Sequence, residues 1–179
     1  MRTRHVVLVA ALAALPALLT PAACLHAQTV TASGGEVAEP VTLAGLLTGT
    51  WELDAARSEF GPAPRASAMT RRMQVSREAL DMAIAQTTPA GEIAGTFRCA
   101  IGGGSCRNRQ GSAETSGSAR WDRGALVVTT TLERLIGPNL TTVDRYLLSA
   151  DHRTLTMERT FEAGGQPSPV KGRLVFVRR

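Results

Sequence analysis

Histidine and cysteine are scarce in this 179-residue chain, with three of each, and His5, His26 and Cys24 all fall in its first 27 residues. Beyond them His152 is the lone histidine, so a zinc site of several converging ligands at the usual spacings has no material. There is no G-x-S-x-G, no histidine paired with a free thiol, and no phosphate-binding glycine loop ahead of a helix. Gly102-Gly103-Gly104 is followed by no helical pattern and reads as a hairpin tip. No cofactor, no metal and no catalytic constellation is therefore expected, and the chain is not read as an enzyme. Lysine is nearly missing as well: of 20 basic residues only Lys171 is lysine. The net charge of +5 is mild and scattered, which argues against a nucleic-acid partner. Long apolar runs are absent too. Val6 to Leu19, about fourteen residues, is too short to span a bilayer.

That run has the form of an export signal. Met1-Arg2-Thr3-Arg4-His5 is a basic start, Pro16 and Pro21 interrupt the apolar stretch, and Leu25-His26-Ala27 supplies small-residue cleavage grammar. Residues 1–27 are read as a signal peptide cleaved after Ala27, giving a periplasmic or secreted protein. Pro21-Ala22-Ala23-Cys24 resembles a lipobox, with Pro21 where a Leu-like residue is usual. The alternative is therefore an envelope lipoprotein acylated at Cys24, and only in that case a membrane partner. Residues 28–42, rich in Thr, Ala, Gly and Glu without apolar period, are expected to be a flexible leader or tether. Residues 43–179 are expected to form one domain and a monomer.

After cleavage only Cys99 and Cys106 remain, an even pair that in an exported domain suggests a disulfide. The intervening Ala-Ile-Gly-Gly-Gly-Ser suits a hairpin, and a structural staple is preferred to a redox site, which more often shows C-x-x-C.

Short runs bounded by turn residues recur at close to ten-residue intervals. They cover 50–53, 68–75, 80–86, 95–101, 116–121, 125–134, 140–149, 154–161 and 170–178, after a helical turn at Leu43–Leu47. Such spacing predicts an all-β antiparallel sandwich or barrel. Alternation then assigns faces: Leu126, Val128, Thr130 and Leu132 share one side, as do Leu155, Met157 and Phe161, and Val170, Leu174 and Phe176. Strands apolar on one face exclude a parallel α/β sheet. Residues 95–117, rich in Gly, Ser, Arg and Asn, read as insertion-like.

Gly49-Thr50-Trp51 on the first strand resembles the G-x-W signature of lipocalins. The wider run from Leu46 to Pro62, the Trp121–Val128 hairpin, Asp144-Arg145-Tyr146, Leu148–Asp151 and Thr154–Thr156 resemble in order and spacing the small exported bacterial lipocalin-like domains. The resemblance spans about Leu46 to Arg178. It implies an up-and-down antiparallel β-barrel of about 8–10 strands, closed at one end by the helical turn. It also implies that Trp51 packs beneath an arginine from a late strand, either Arg173 or Arg178. Fatty-acid-binding relatives clamp a carboxylate with Arg-x-Tyr; here Arg145 and Tyr146 are adjacent and point to opposite faces, so that function is not carried over.

Arg71 alternates with Met69, Met73 and Val75, and Arg159 with Leu155, Met157 and Phe161, which turns both arginines inward. A buried guanidinium needs a partner. Asp144 or an anionic ligand can serve, and a structural ion pair or a place at the barrel rim are the plainer readings. Arg71, Arg159, Tyr146 and Asp144 are the candidate ligand-binding residues; Gly49, Trp51, Cys99 and Cys106 are the structural ones. The function expected is binding of a small apolar or amphipathic molecule. The alternative is a filled barrel whose 102–112 loop, carrying Arg107 and Arg109, meets another protein.

Overall fold

The computed structural model describes residues 40–163 and 168–179. The expected signal peptide, Cys24 and the leader up to residue 39 lie outside them. Ten strands follow one short helix, α1 (Pro40–Leu47): β1 (Gly49–Leu53), β2 (Ala68–Val75), β3 (Ala79–Thr88), β4 (Gly91–Ala100), β5 (Cys106–Gln110), β6 (Ala113–Asp122), β7 (Ala125–Leu132), β8 (Leu140–Leu148), β9 (Thr154–Ala163) and β10 (Val170–Arg178). Each strand pairs antiparallel with its neighbours in sequence, and β1 pairs with β10 to close the barrel. This is the expected up-and-down class. Closure leaves no sheet edge to template association.

Period-two patterning is what holds the register. On β2 the buried positions are Met69, Arg71, Met73 and Val75, and the residues between them are exposed or half-buried. The same alternation puts Leu80 and Met82 of β3, and Phe97 and Cys99 of β4, inside. A slip by one residue would turn every one of these outward.

The segment read as an insertion is instead a strand. Residues 106–110 pair with β6 along five positions, from Cys106 opposite Gly117 to Gln110 opposite Ala113. Its pattern was hidden because the inward residue is Asn108, while Arg107 and Arg109 flank it on the exposed face. Towards β4 the ladder is short, with register partners only at Gly95–Gln110 and Thr96–Arg109. Beyond them the Asn108 Oδ1 accepts the Arg98 amide at 2.6 Å, and the Cys99–Cys106 disulfide joins the two strands across a Cα separation of 5.5 Å. A side chain and a covalent bond thus replace main-chain pairing.

One end of the barrel is closed as the G-x-W resemblance implied. Leu43, Ala44 and Leu47 of α1 are buried against the interior, and the Trp51 indole donates to the Leu47 carbonyl at 2.9 Å. The late-strand arginine is Arg178. Its guanidinium carbon stands 4.4 Å from the ring centre of Trp51, while Nη1 donates to the Thr48 carbonyl, Nη2 to Leu46 and Nε to His152. A cation that satisfies the last carbonyls of a helix and covers an indole face joins two favourable contacts. Gly49, at φ +143°, sits where a Cβ would lie 3.1 Å from that guanidinium, so the first residue of G-x-W leaves room for the arginine.

Candidate functional site

Packing fills only half of the interior. Met73, Leu80, Cys99, Ala119, Leu126, Tyr146, Leu155, Met157 and Phe176 occupy the end nearest α1. The other half holds a cavity of about 540 Å³, within the range usual for small-molecule sites. Its deepest lining, at the level where the packed half begins, comes from Arg71, Met82, Phe97, Val128, Asp144, Arg159 and Leu174. Further out come Ile84, Gln86, Thr88, Ile93, Thr130, Leu140, Thr142 and Phe161, and the segment after β1 adds Phe60, Pro62, Ala63 and Pro64. Walls of mixed apolar and polar character, with Arg109 and Arg134 among the lining residues, surround a charged floor.

Phe97 reaches its place because β6 carries no side chain opposite it. A Cβ on Gly117 would lie 2.6 Å from the Phe97 Cε2 and 2.8 Å from the Thr129 carbonyl oxygen. Real carbons do not approach so closely, so the ring and the glycine require each other.

The floor brings three of the four candidate residues to the cavity. Asp144 on β8 and Arg159 on β9 are register partners. Arg159 donates from Nε to Oδ1 and from Nη2 to Oδ2, both at 2.6 Å, a bidentate geometry that suits a poorly solvated pair. Burial works against the Arg159 cation, but the facing carboxylate outweighs it and holds the guanidinium above its ordinary value. Arg71 comes from β2 and is 2% exposed. Its Nη1 donates to the Tyr146 hydroxyl at 2.7 Å and to the Met82 sulfur at 3.3 Å, and its Nε is buried without a partner.

Tyr146 itself lies below the floor, 1% exposed and outside the cavity lining. Burial pushes its hydroxyl up to about 12, against the pull of Arg71. Arg145 points the other way, donating to Asp122 on the outer face at 2.7 Å, as their adjacency in sequence required. The rings of Tyr146 and Phe176 stand 5.7 and 5.5 Å from the Arg71 guanidinium carbon. Cation–π contacts contribute about 0.5–2 kcal/mol each, and an uncompensated buried charge costs several kcal/mol after relaxation. Arg71 is therefore only partly satisfied by the protein.

Sequence patterning had no means to name Met82, Asn108 or Phe60 as neighbours of the site. Met82 lies within the strand read over 80–86, to which no face was assigned, and Phe60 arrives from a segment without period. Among the described residues no cluster of three or more His, Cys, Asp or Glu forms a metal site. His152 is exposed in the β8–β9 turn at φ +58°.

No protein-family model matches the chain, and no curated protein matches its sequence. Among solved structures it is similar to a secretory abundant heat soluble (SAHS) protein from Ramazzottius varieornatus, with a TM-score of 0.54 and 14% identity over 75% of this chain and 96% of that one. Lipid binding protein 8 from Caenorhabditis elegans, in its apo form, gives 0.48 and 10% identity over 75% and 96% of the two chains. The likeness is one of fold: the chain is a closed, lipocalin-like antiparallel β-barrel of ten strands among the described residues.

Proposed function

We propose that this protein binds a small apolar or amphipathic molecule in the open half of its barrel. The observation that carries the reading is the cavity of about 540 Å³ above a charged floor. Apolar walls favour a ligand through removal of surface from water, and a few placed polar groups orient it. Catalysis is not part of the reading, because both Asp144 oxygens are engaged by Arg159 and Tyr146, protonated near neutral pH like any phenol, is made a still weaker acid by burial. The competing filled-barrel reading is weakened on two counts. The open half is not packed, and Cys106–Gln110 is a strand rather than a free binding loop.

Export is the second half of the proposal. A disulfide between Cys99 and Cys106 persists in oxidising compartments and is rare in the cytosol. The mass of the mature chain tests it, since cleavage after Ala27 and acylation at Cys24 leave different N-termini.

Ligand binding is tested by native mass spectrometry of protein purified without denaturation, together with titration by the neutral fluorescent probe N-phenyl-1-naphthylamine. Thr130→Trp places an indole on the cavity wall. A folded Thr130→Trp variant that has lost the probe is the expected result. Unchanged probe binding in that variant would place the probe elsewhere and remove the cavity from consideration.

A further inference from the structure

The wall of the cavity is divided by strand. Four successive strands, β5 to β8, turn uncharged polar groups into it: Asn108, Thr115, Thr130 and Thr142. Asn108 and Thr115 are cross-strand partners, as are Thr130 and Thr142, with the second pair one step further from the mouth. Val128 below and Leu140 at the rim bound this patch. The level of Thr142 continues on β9 and β10 as Phe161 and Val170. Across the barrel, β2 stands five strands from β7 in either direction and contributes Met69, and the segment after β1 contributes Phe60. One side of the cavity is therefore lined at this depth by neutral polar groups and the facing side by apolar ones. Gln86 and Thr88 of β3 lie nearer the rim, where Thr88 donates to the Gly91 carbonyl of its own turn.

The polar groups of the patch are not spent on the protein. On the outer face of the same strands the Thr131 and Thr141 hydroxyls bond one another at 3.1 Å. Among the described residues the inward hydroxyls of Thr115, Thr130 and Thr142 have no such partner and face the cavity, although Thr115 is only 6% exposed. Asn108 uses Oδ1 on the Arg98 amide and one N–H on the Cys106 sulfur, which leaves its second N–H.

We infer that the cavity takes a ring-type amphiphile whose hydroxyl or carbonyl groups lie along one face, with that face toward Asn108, Thr115, Thr130 and Thr142 and the bare face toward Phe161, Met69 and Phe60. This rests on the ligand-binding reading and adds how the ligand's polar atoms are distributed. Neighbouring strands stand about 4.8 Å apart, so four strands spread their polar groups over about 14 Å of wall. One head group at the end of an alkyl chain meets a small part of that patch and lays its chain against the rest. Hydroxyls set along a fused-ring system meet several groups at once. A hydroxyl both donates and accepts, which suits threonine and amide partners alike. Thioether and phenyl surfaces on the facing side suit a broad apolar ring face.

The test uses the full chain with its disulfide intact and follows displacement of N-phenyl-1-naphthylamine by methyl cholate, methyl deoxycholate and 1-dodecanol. The two esters are uncharged and share one ring system, and methyl cholate carries one further hydroxyl on the same face. In a cavity that only removes apolar surface from water the further hydroxyl weakens binding, because it is buried without a partner. Here methyl cholate is expected to compete at a concentration equal to or below that of methyl deoxycholate, and 1-dodecanol to be weaker than both. Thr130→Val with Thr142→Val keeps the side-chain shape and removes two hydroxyls. In that variant the order should reverse, with methyl deoxycholate preferred at least about tenfold, which corresponds to about 1.4 kcal/mol. The ratio of two competitors does not depend on how tightly the probe itself binds. Thr131→Val with Thr141→Val, on the outer face, should keep the native order. If the inward double variant does not fold, Thr142→Val alone carries the comparison, with an expected shift of about threefold. A native chain that prefers methyl deoxycholate, or binds 1-dodecanol more tightly than both esters, would overturn the inference and leave the cavity reading standing. A native order that survives in the inward variant, or is lost equally in the outward one, would overturn it too, as would a bound probe that neither ester displaces. If neither the probe nor any competitor binds the native chain, the ligand-binding reading falls with it.

Discussion

Arg178 and Trp51 are stacked at 4.4 Å across the seam where the last strand meets the first. The contact closes the barrel twice, because the same guanidinium also holds the Thr48 and Leu46 carbonyls at the end of α1. Arg178→Lys keeps the charge and loses the fork, so it should lower stability by about 1–2 kcal/mol, the scale of one or two charge-assisted hydrogen bonds. Urea denaturation measures it, and Arg178→Ala should cost more. A lysine variant as stable as the native chain would show that charge alone closes the barrel.

Asp144 and Arg159 call for a double-mutant cycle. Asp144→Asn leaves the Arg159 guanidinium, 19% exposed at its side chain, beside a neutral amide. Breaking a buried pair on one side costs about 3–5 kcal/mol, whereas replacing both partners by apolar groups is often neutral. Asp144→Leu with Arg159→Met together should therefore be more stable than Asp144→Asn alone. Additive losses in the cycle would contradict the coupling.

Tyr146 is the chain's one tyrosine, so tyrosinate absorbance reports it alone. Its folded value of about 12 lies above the ordinary 10.0 because burial disfavours the phenolate. A raised value means that the unfolded chain loses the proton first. The stabilisation is therefore complete below pH 10 and disappears as pH rises through about 12. Absorbance near 295 nm should stay flat past pH 10 in the folded protein and rise together with unfolding. Tyr146→Phe should remove that component of the alkaline loss.

Gly117 should tolerate no side chain. Gly117→Ala puts a carbon into the Phe97 ring and the Thr129 carbonyl, and should destabilise by about 1–3 kcal/mol, as overpacking does. Phe97→Leu in the same chain should recover part of the loss. The thermal midpoints of the three variants measure both effects.

Much of the barrel was legible because burial writes a period of two. Nine of the ten strands were read from alternation and turn residues, with β2 matching at both ends, Ala68 and Val75. β5 was missed for a physical reason: the inward-facing Asn108 satisfies the Arg98 amide in place of main-chain pairing, so no apolar alternation marks the strand. The inward turn of Arg71 and Arg159 was legible from the same period. Which arginine Asp144 would take was not, since pairing depends on strand register: Asp144 lies opposite Arg159 on β9, while Arg71 stands on β2, three strands further round the closed barrel from β9.

By itself the amino-acid sequence determined the class of fold, the inward face of strands such as β2 and β9, and the cysteine pair, because these depend on local alternation and on residue type. Only the tertiary structure decided that Arg178 rather than Arg173 covers Trp51, that Tyr146 lies under Arg71, and that the barrel keeps a cavity of about 540 Å³. Those facts depend on barrel closure and on how side-chain volumes from distant strands add up, and no local pattern carries either.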